Sequence, residues 1–213
     1  MHVICAAALF DCDGVLVDSD ASIRRSFVRW ATPHGIDGNA LFEASRGRRS
    51  VDSIGAAAPH LDYELEERRF EKLELDDAPT VSALPGAREI CSMPDLRWAV
   101  VTSGVRRLAS ARLAAAAIEP PPVVVAGDDL TFGKPHPEGY LLAAERLGVA
   151  PECCVVVEDA DAGIAAGLAA GCHVIAVGRW ATRRDDPRVT HVANLESFTI
   201  STPADTARVQ LRL

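Results

Sequence analysis

Two aspartates, Asp11 and Asp13, stand two positions apart directly after an apolar run that ends at Phe10. Carboxylates this close repel each other unless a cation neutralises them or one of them holds a proton. A short apolar run that ends in turn residues is typical of a buried strand, and residues two apart on an extended chain point to the same side. Gly14 then permits a turn or a close ligand approach. The pair could bind a cation, but on residues 11–14 alone an acidic, solvated turn is an equally open interpretation.

Polar groups that suit the same chemistry follow other apolar runs. Thr102 follows one such run, Glu158 and Asp159 follow another, and Lys134 precedes a predicted helix. Because the carboxyl ends of parallel strands meet at one edge of a sheet, we expect these side chains to share a cleft. Clustered carboxylates without thiolates or paired histidines suit a hard cation, most simply Mg²⁺, and lysine and hydroxyl groups are common phosphate partners. The residues therefore predict a Mg²⁺-dependent phosphoryl-transfer site.

The elements that must position these groups alternate between strand and helix. The pattern predicts strands at residues 3–10, 97–101, 123–125, 153–157, 173–177 and 190–192, and helices at 86–92, 106–117, 137–147 and 160–170. Strands that alternate with helices indicate a parallel sheet covered by helices on both faces. The strands are continuous apolar runs, as buried parallel strands should be. We therefore predict the α/β class.

A helical insertion separates the first strand from the rest of this pattern. Residues 21–33 carry apolar side chains at helical spacing, and residues 61–77 form a charged stretch with a rough apolar stripe. We predict a helical cap at residues 17–83, and a core domain made of residues 1–16 and 84–213. The basic cluster Arg46-Gly47-Arg48-Arg49 lies inside this cap.

Composition restricts the setting and the partners. The chain has 213 residues, 48% of them hydrophobic and 24% charged, and a net charge of −8. This acidic balance disfavours a general attraction to nucleic acid or to anionic membranes, so an anionic substrate would need a local basic pocket. The six cysteines have no zinc or redox spacing, and the short N-terminal apolar run lacks the features of a signal peptide or a membrane span. We expect a cytoplasmic, monomeric protein that binds a small phosphorylated metabolite, with no nucleic acid and no membrane.

Four motifs, in order, resemble those of one enzyme family. They are DCDGVLVDS from Asp11, VVTSG from Val100, GKPHPEGY from Gly133 and VVVEDADAGIAAGLAAG from Val155. The chain resembles the haloacid-dehalogenase-like (HAD) hydrolase superfamily, in the subgroup with a helical cap after the first strand. The resemblance implies a Rossmann-like parallel sheet core with the cap inserted after strand 1.

The resemblance also implies catalytic and metal-binding roles. Asp11 would be the nucleophile that forms an aspartyl phosphate, and Asp13 would be the general acid and then the general base. Mg²⁺ would be held by the Asp11 carboxylate, the Asp13 backbone carbonyl and Asp159. Glu158 would stand behind these ligands and orient water or the lysine.

The same resemblance assigns the phosphate contacts. Thr102 and the amides of Ser103 and Gly104 would hold the phosphoryl oxygens, and Lys134 would balance the charge between nucleophile and phosphate. As interpretations from the residues alone, a strand-end hydroxyl for Thr102 and a solvated loop lysine for Lys134 stay open.

Within this family, the sequence favours a phosphatase of sugar or glycerol phosphates. A carbon–halogen dehalogenase of this fold needs no acid at the position of Asp13. The sugar mutase branch carries a cap His and a cap Arg where this chain has Ile23 and Ser50. Arg48 and Arg49 are expected to reach the substrate, with ordinary solvated arginines as the alternative. A phosphosugar mutase like beta-phosphoglucomutase is the alternative enzyme, and a non-catalytic, receiver-like phosphate-binding protein is the alternative from another class.

Overall fold

The part of the chain that the structure describes is built on a parallel sheet of six strands. The structure is a computed structural model and describes residues 2–178, 181–201 and 209–212. The strands of this sheet are β2 Ala7–Phe10, β5 Trp98–Val101, β6 Val123–Val125, β7 Cys154–Glu158, β8 His173–Val177 and β9 Val189–Val192. Across the sheet they follow the order β6-β5-β2-β7-β8-β9, and every neighbouring pair is parallel. The predicted fold class is confirmed.

Helices cover both faces of this sheet. On one face lie α5 (Ala87–Cys91) and α6 (Arg106–Ala115), and on the other α7 (Glu138–Leu147) and α8 (Asp161–Ala169). Alternate residues of a strand point to opposite faces, so each central strand contributes to two cores. In β2, for example, Phe10 packs in the first core and Leu9 in the second, both fully buried. This two-sided burial explains why the strands have no polar alternation.

The first predicted strand is wrong in one respect, because residues 3–10 form two strands in two sheets. β1 (His2–Cys5) pairs antiparallel with β11 (Val209–Arg212), which also pairs with β10 (Thr199–Ser201). Only β2 enters the parallel sheet. The run stays apolar throughout, so nothing in its side chains marks the change of partner at Ala6.

The helical insertion predicted after the first strand is present and has its own core. Its helices are α1 Asp20–Ala31, α2 Gly38–Ala44, α3 Ser50–Ala57 and α4 Tyr63–Asp77. Phe27, Trp30 and Phe70 lie at the centre of this core, and the rings of Phe27 and Phe70 have centroids 4.7 Å apart. The chain enters through β3 (Val17–Asp18) and leaves through β4 (Ser82–Ala83), which pair antiparallel. The cap boundaries at 17 and 83 stay a prediction. Among the described residues, no helix has the length and apolar character that crossing a membrane requires.

Candidate active site

The candidate site lies at the carboxyl ends of three neighbouring strands. β2 is flanked by β5 and β7, so Asp11, Thr102 and Glu158 all come from the same edge of the sheet. The Asp11 amide donates to the Val157 carbonyl at 3.0 Å, which continues the parallel pairing of β2 and β7 one residue beyond β2. The sheet itself therefore fixes where the Asp11 side chain begins.

Lys134 joins the acidic groups of this edge. Its Nζ donates to Asp11 Oδ1 and to Glu158 Oε1, both at 2.6 Å, and to the Val101 carbonyl at 3.1 Å. The lysine is only 7% exposed, so it is not a solvated loop residue. Glu158 accepts further bonds from the Tyr140 hydroxyl at 2.6 Å and from the Asp159 amide at 3.1 Å. Its carboxylate thus orients the lysine.

The electrostatics of this cluster favour the addition of positive charge. Burial raises the pKa of Asp11 to about 7, although Lys134 acts in the opposite direction. Burial and the neighbouring carboxylates of Glu158 and Asp11 raise the pKa of Asp159 well above its usual range. Burial alone would lower the pKa of Lys134, but Asp11 and Glu158 outweigh it and raise that pKa. Three buried carboxylates share one ammonium group here, which leaves a deficit of positive charge.

The same three carboxylates have the arrangement of a cation site. One oxygen each from Asp11, Glu158 and Asp159 lies within 4.8 Å of the others, and all three residues are buried. Gly14, with φ at +81°, lies so close to Asp159 that a Cβ at this position would overlap its carboxylate. Gly163 stands against Glu158 in the same way. The two glycines therefore make room for the acidic groups, and hard oxygen donors of this kind suit Mg²⁺.

Asp13 has a different environment from Asp11. Its Oδ2 accepts from Arg112 Nη1 at 3.0 Å, while Oδ1 is a buried atom with no hydrogen-bond partner in the described part of the chain. Arg112 is 1% exposed, and its Nη2 donates to Glu74 Oε1 of the cap at 3.1 Å. Neither Arg112 nor Glu74 was predicted from the sequence. The available signal was the position of Arg112 four residues after Leu108, on the apolar side of α6.

A cleft between the core and the cap contains most of the predicted site residues. Asp11, Asp13, Asp159, Ser103, Gly104 and Arg112 line it from the core. From the cap it is lined by Asp20, Ile23, Phe27, Phe42, Ser45, Arg46, Gly47, Arg48, Ser50 and Glu74. The structure therefore brings together the two aspartates, the metal candidates, the Ser103–Gly104 segment and Arg48.

Three predicted residues have other surroundings. Thr102 is 1% exposed and accepts from the Gly104 amide at 3.1 Å, and it lines a small neighbouring cavity together with Lys134. Arg49 lines the same small cavity and not the cleft, and it donates to Asp52 Oδ2 at 2.8 Å and to the Leu130 carbonyl at 3.2 Å. The substrate contact predicted for Arg49 stays a prediction.

Cap and core touch at further points around the cleft. Ser103 Oγ donates to the Gly47 carbonyl at 2.9 Å, and Arg107 of α6 forms an ion pair with Glu71 of α4. Gly47 lies so close to Ala160 that a side chain there would displace one of them. The cap is therefore seated against the carboxyl edge of the sheet.

Comparisons with known proteins agree with this geometry. The family model described as haloacid dehalogenase-like hydrolase matches residues 5–171. The chain is 40% identical over 207 residues to hexitol phosphatase A of Escherichia coli (strain K12), covering 92% of this chain and 94% of that protein. It is 34% identical over 186 residues to glycerol-1-phosphate phosphohydrolase 2 of Saccharomyces cerevisiae, covering 80% of this chain and 74% of that protein. The resemblance inferred from the four motifs is confirmed.

A solved structure has the same fold. The crystal structure of CbbY from Rhodobacter sphaeroides in complex with phosphate superposes with a TM-score of 0.74 at 23% identity. The match covers 88% of this chain and 92% of that chain. The likeness thus extends over both the parallel sheet and the helical insertion.

Proposed function

Because the chain belongs to the haloacid dehalogenase-like hydrolase family, we propose that it is a Mg²⁺-dependent phosphatase that hydrolyses a small phosphate monoester through an aspartyl phosphate. The substrate class is a sugar phosphate, a sugar-alcohol phosphate or a glycerol phosphate. The observation that carries this proposal is the position of Asp11 beside Lys134 at the end of β2, with Asp13 in the same cleft. The relatives named above, a hexitol phosphatase and a glycerol-1-phosphate phosphohydrolase, support the substrate class.

Asp11 is the nucleophile in this proposal. One carboxylate oxygen attacks phosphorus, and the bond between phosphorus and the ester oxygen breaks. Lys134, 2.6 Å from Asp11 Oδ1, holds the carboxylate in place and balances negative charge as the phosphoryl group approaches. Glu158 holds Lys134 from the other side at 2.6 Å. The lysine is therefore restricted to the position where the charge develops.

Asp13 transfers the proton. An alkoxide is a poor leaving group, so Asp13 gives its proton to the ester oxygen as the bond breaks. Asp13 then takes a proton from the water that attacks the aspartyl phosphate, which releases inorganic phosphate and restores the Asp11 carboxylate. Arg112 binds Oδ2 of Asp13 at 3.0 Å, so Oδ1 is the oxygen available for this transfer.

The carboxylate cluster fits Mg²⁺, because its three buried acids have one lysine among them and their oxygens lie close together. Asp11, Asp159 and the Asp13 carbonyl would hold the ion, and Glu158 would remain with Lys134. When bound, the ion supplies charge neutralisation between the carboxylates and the phosphoryl oxygens. The chain's own residues provide the remaining phosphate contacts: Ser103 and Gly104 line the cleft, and the Thr102 hydroxyl lies beneath them.

A phosphatase is favoured over a mutase by the cap side of the cleft. Ile23 and Ser50, which stand where the mutase branch carries His and Arg, both line the cleft. Neither side chain carries a charge that would hold a second phosphate. Arg48 is the exposed cap residue that we propose for the substrate contact, since its side chain makes no hydrogen bond or ion pair with another described residue.

The cytoplasmic location and the monomeric state remain predictions.

The test is phosphate release from hexitol, hexose, pentose and triose phosphates with and without Mg²⁺. We expect release that requires Mg²⁺ and is lost in Asp11→Asn. Glucose 1-phosphate with glucose 1,6-bisphosphate is included in the screen, because interconversion without net phosphate release would identify a mutase instead. If the wild-type protein hydrolyses none of these esters but still binds phosphate, the non-catalytic alternative is favoured.

A further inference from the structure

We propose that Arg112 and Glu74 are positioning residues for Asp13, and that they link the general acid to the seating of the cap. The inference rests on the proposed phosphatase function and adds to it two residues of the cleft that act through Asp13. It follows from a chain of three charged groups, Asp13–Arg112–Glu74, that crosses from the core to the cap.

The three charged groups are joined by two hydrogen bonds with a defined geometry. Arg112 presents two different nitrogens, Nη1 to Asp13 Oδ2 at 3.0 Å and Nη2 to Glu74 Oε1 at 3.1 Å. The three residues come from separate elements: the segment after β2, helix α6 of the core and helix α4 of the cap. The planar guanidinium fixes the angle between the two carboxylates, which an ammonium group would not do.

Both residues that link Asp13 to the cap are buried, and burial strongly restricts the positions of their charges. Arg112 is 1% exposed and Glu74 is 6% exposed, so neither charge has water as an alternative partner. A buried charge that loses its partner is strongly unfavourable, whereas a complete chain is tolerated. Arg112 is therefore held in one orientation only when α4 lies against α6, and the Asp13 carboxylate is held through Arg112.

The two oxygens of Asp13 consequently have different tasks. Arg112 occupies Oδ2, and Oδ1 has no hydrogen-bond partner among the described residues although it is buried. An anchored oxygen on one side and an unpartnered one on the other is the arrangement that a carboxyl group needs to pass a proton in a fixed direction. Displacement of a reacting group by about 1 Å can lower the rate of reaction 100-fold, so loss of the contact between Arg112 and Asp13 should lower kcat/KM measurably.

A second ion pair between the same two helices provides the matched control. Glu71 of α4 and Arg107 of α6 also join the cap to the core, but Arg107 has a side chain that is 62% exposed, and neither residue contacts Asp13. Arg107→Gln therefore removes a charged contact between cap and core and leaves the anchor of Asp13 intact. It separates a general effect on cap seating from the specific effect on the acid.

The experiment compares two leaving groups. The first substrate is the hexitol phosphate or glycerol phosphate that the wild-type enzyme turns over fastest, whose alkoxide needs a proton. The second is p-nitrophenyl phosphate, whose phenolate leaves without one. We measure kcat/KM for both esters, because it reports the steps up to the first irreversible bond cleavage. The variants are Arg112→Gln, Glu74→Gln, Arg107→Gln and, to set the full size of the effect, Asp13→Asn.

We expect Arg112→Gln to lower kcat/KM about 100-fold with the alkyl ester and less than about 5-fold with the aryl ester. Glu74→Gln should lower the alkyl value about 10-fold, and the double variant should lose no more than Arg112→Gln alone, because the residues act as one unit. Arg107→Gln should change both values less than about 2-fold.

Equal losses with the two esters in Arg112→Gln and Glu74→Gln, or losses in Arg107→Gln of the same size and kind, would overturn the inference. If Arg112→Gln does not fold, Glu74→Gln carries the test, since it keeps the size of the side chain. Failure of the proposed function would look different, because the wild-type protein would then hydrolyse neither ester in the presence of Mg²⁺.

Discussion

The two walls of the cleft are built in different ways. The core wall is supported from behind by Lys134, which is almost completely buried and binds Asp11 and Glu158, each at 2.6 Å. On the cap side, Arg46 pairs with Asp20 at 3.1 Å, with the Asp20 side chain 35% exposed, and Arg48 is exposed. Lys134 and its two partners thus have almost no access to water, whereas Asp20 and Arg48 of the cap wall do.

This difference separates reaction from recognition. Charges in a dry environment interact strongly, and their positions are determined by the sheet and by each other. Charges near water interact weakly and can be exchanged at low cost. We therefore expect substitution of the buried Lys134 to remove activity and stability together, and substitution of an exposed cap residue such as Arg48 to alter substrate affinity alone.

The largest effect is expected for Lys134→Met. The change leaves Asp11 and Glu158 without their shared cation, which should cost about 3–5 kcal/mol of stability. It also removes the charge that balances the phosphoryl group, so kcat should fall about 1,000-fold. Denaturant unfolding and phosphate release measure the two quantities.

The chain has two lysines, and the other one is the control. Lys72 forms an exposed pair with Asp76 within α4, so Lys72→Met should cost about 0.5 kcal/mol or less and leave kcat unchanged. If Lys134→Met were as well tolerated as Lys72→Met, the contrast between the two walls would be wrong.

Gly14→Ala should have the next largest effect. A Cβ at this position would displace the Asp159 carboxylate, and we expect kcat to fall about 100-fold because the metal candidates move apart. Gly148, which has φ at +67° and nothing within 4 Å of its added Cβ, has the same backbone requirement without the neighbour. Gly148→Ala should therefore cost about 1 kcal/mol of stability with full activity. Loss of activity in both variants would point to backbone strain instead of displaced carboxylates.

Mg²⁺ should stabilise the protein, and more so at high pH. Burial raises the pKa of Asp11 from 3.8 to about 7 in the folded protein. The protonated carboxyl therefore contributes to the free energy of unfolding fully below pH 3.8, and this contribution is lost as the pH rises through about 7. The metal-free protein should thus lose stability between pH 4 and 8 from this group. Mg²⁺ at about 100 times its dissociation constant should restore roughly 2.7 kcal/mol at pH 8, or several degrees in Tm, and less at pH 5.5, where protons compete.

Thermal melts with Mg²⁺ or with a chelator at pH 5.5 and 8 provide the measurement. Asp159→Asn should abolish the difference between the two melts at pH 8, while Asp76→Asn, on the exposed face of α4, should retain it. A Tm shift that persists in Asp159→Asn would place the cation elsewhere.

The smallest effect is expected for Arg48→Gln in the cap wall. Because Arg48 lines the cleft and is exposed, its loss should raise KM about 10-fold and change kcat little. Arg49 provides the comparison, since it binds Asp52 and the Leu130 carbonyl outside the cleft. Arg49→Gln should leave KM within about 2-fold of the wild type. The reverse ranking of the two variants would assign the substrate contact to Arg49.

The sequence predicts the core wall of the cleft better than its connections to the cap. Asp11, Thr102 and Asp159 each follow an apolar run, and this local signal is sufficient because the topology of a parallel sheet brings strand ends together. The same topology explains why the helical insertion and the α/β class could be predicted.

Arg112 and Glu74 could not be predicted in the same way. The hydrophobic pattern of each helix can be explained without reference to the other helix. The two residues lie 38 positions apart in sequence and meet only because α4 packs on α6. The division of residues 3–10 between two sheets has a similar cause. β1 pairs with β11 about 200 residues later, and no residue in the run marks this distant partner.

The pairing of β3 with β4 has an engineering consequence. Val17 is paired with Ala83 and Asp18 with Ser82, so the two crossings between core and cap lie side by side. The helical segment between them is thus an insertion whose two ends lie next to each other at the core domain. A helical segment from another protein could be grafted between these two strands, or the segment replaced by a short glycine-rich linker, without re-threading the sheet. A grafted segment should change substrate preference, and a chimaera without a counterpart of Glu74 should also lose part of the anchor of Asp13.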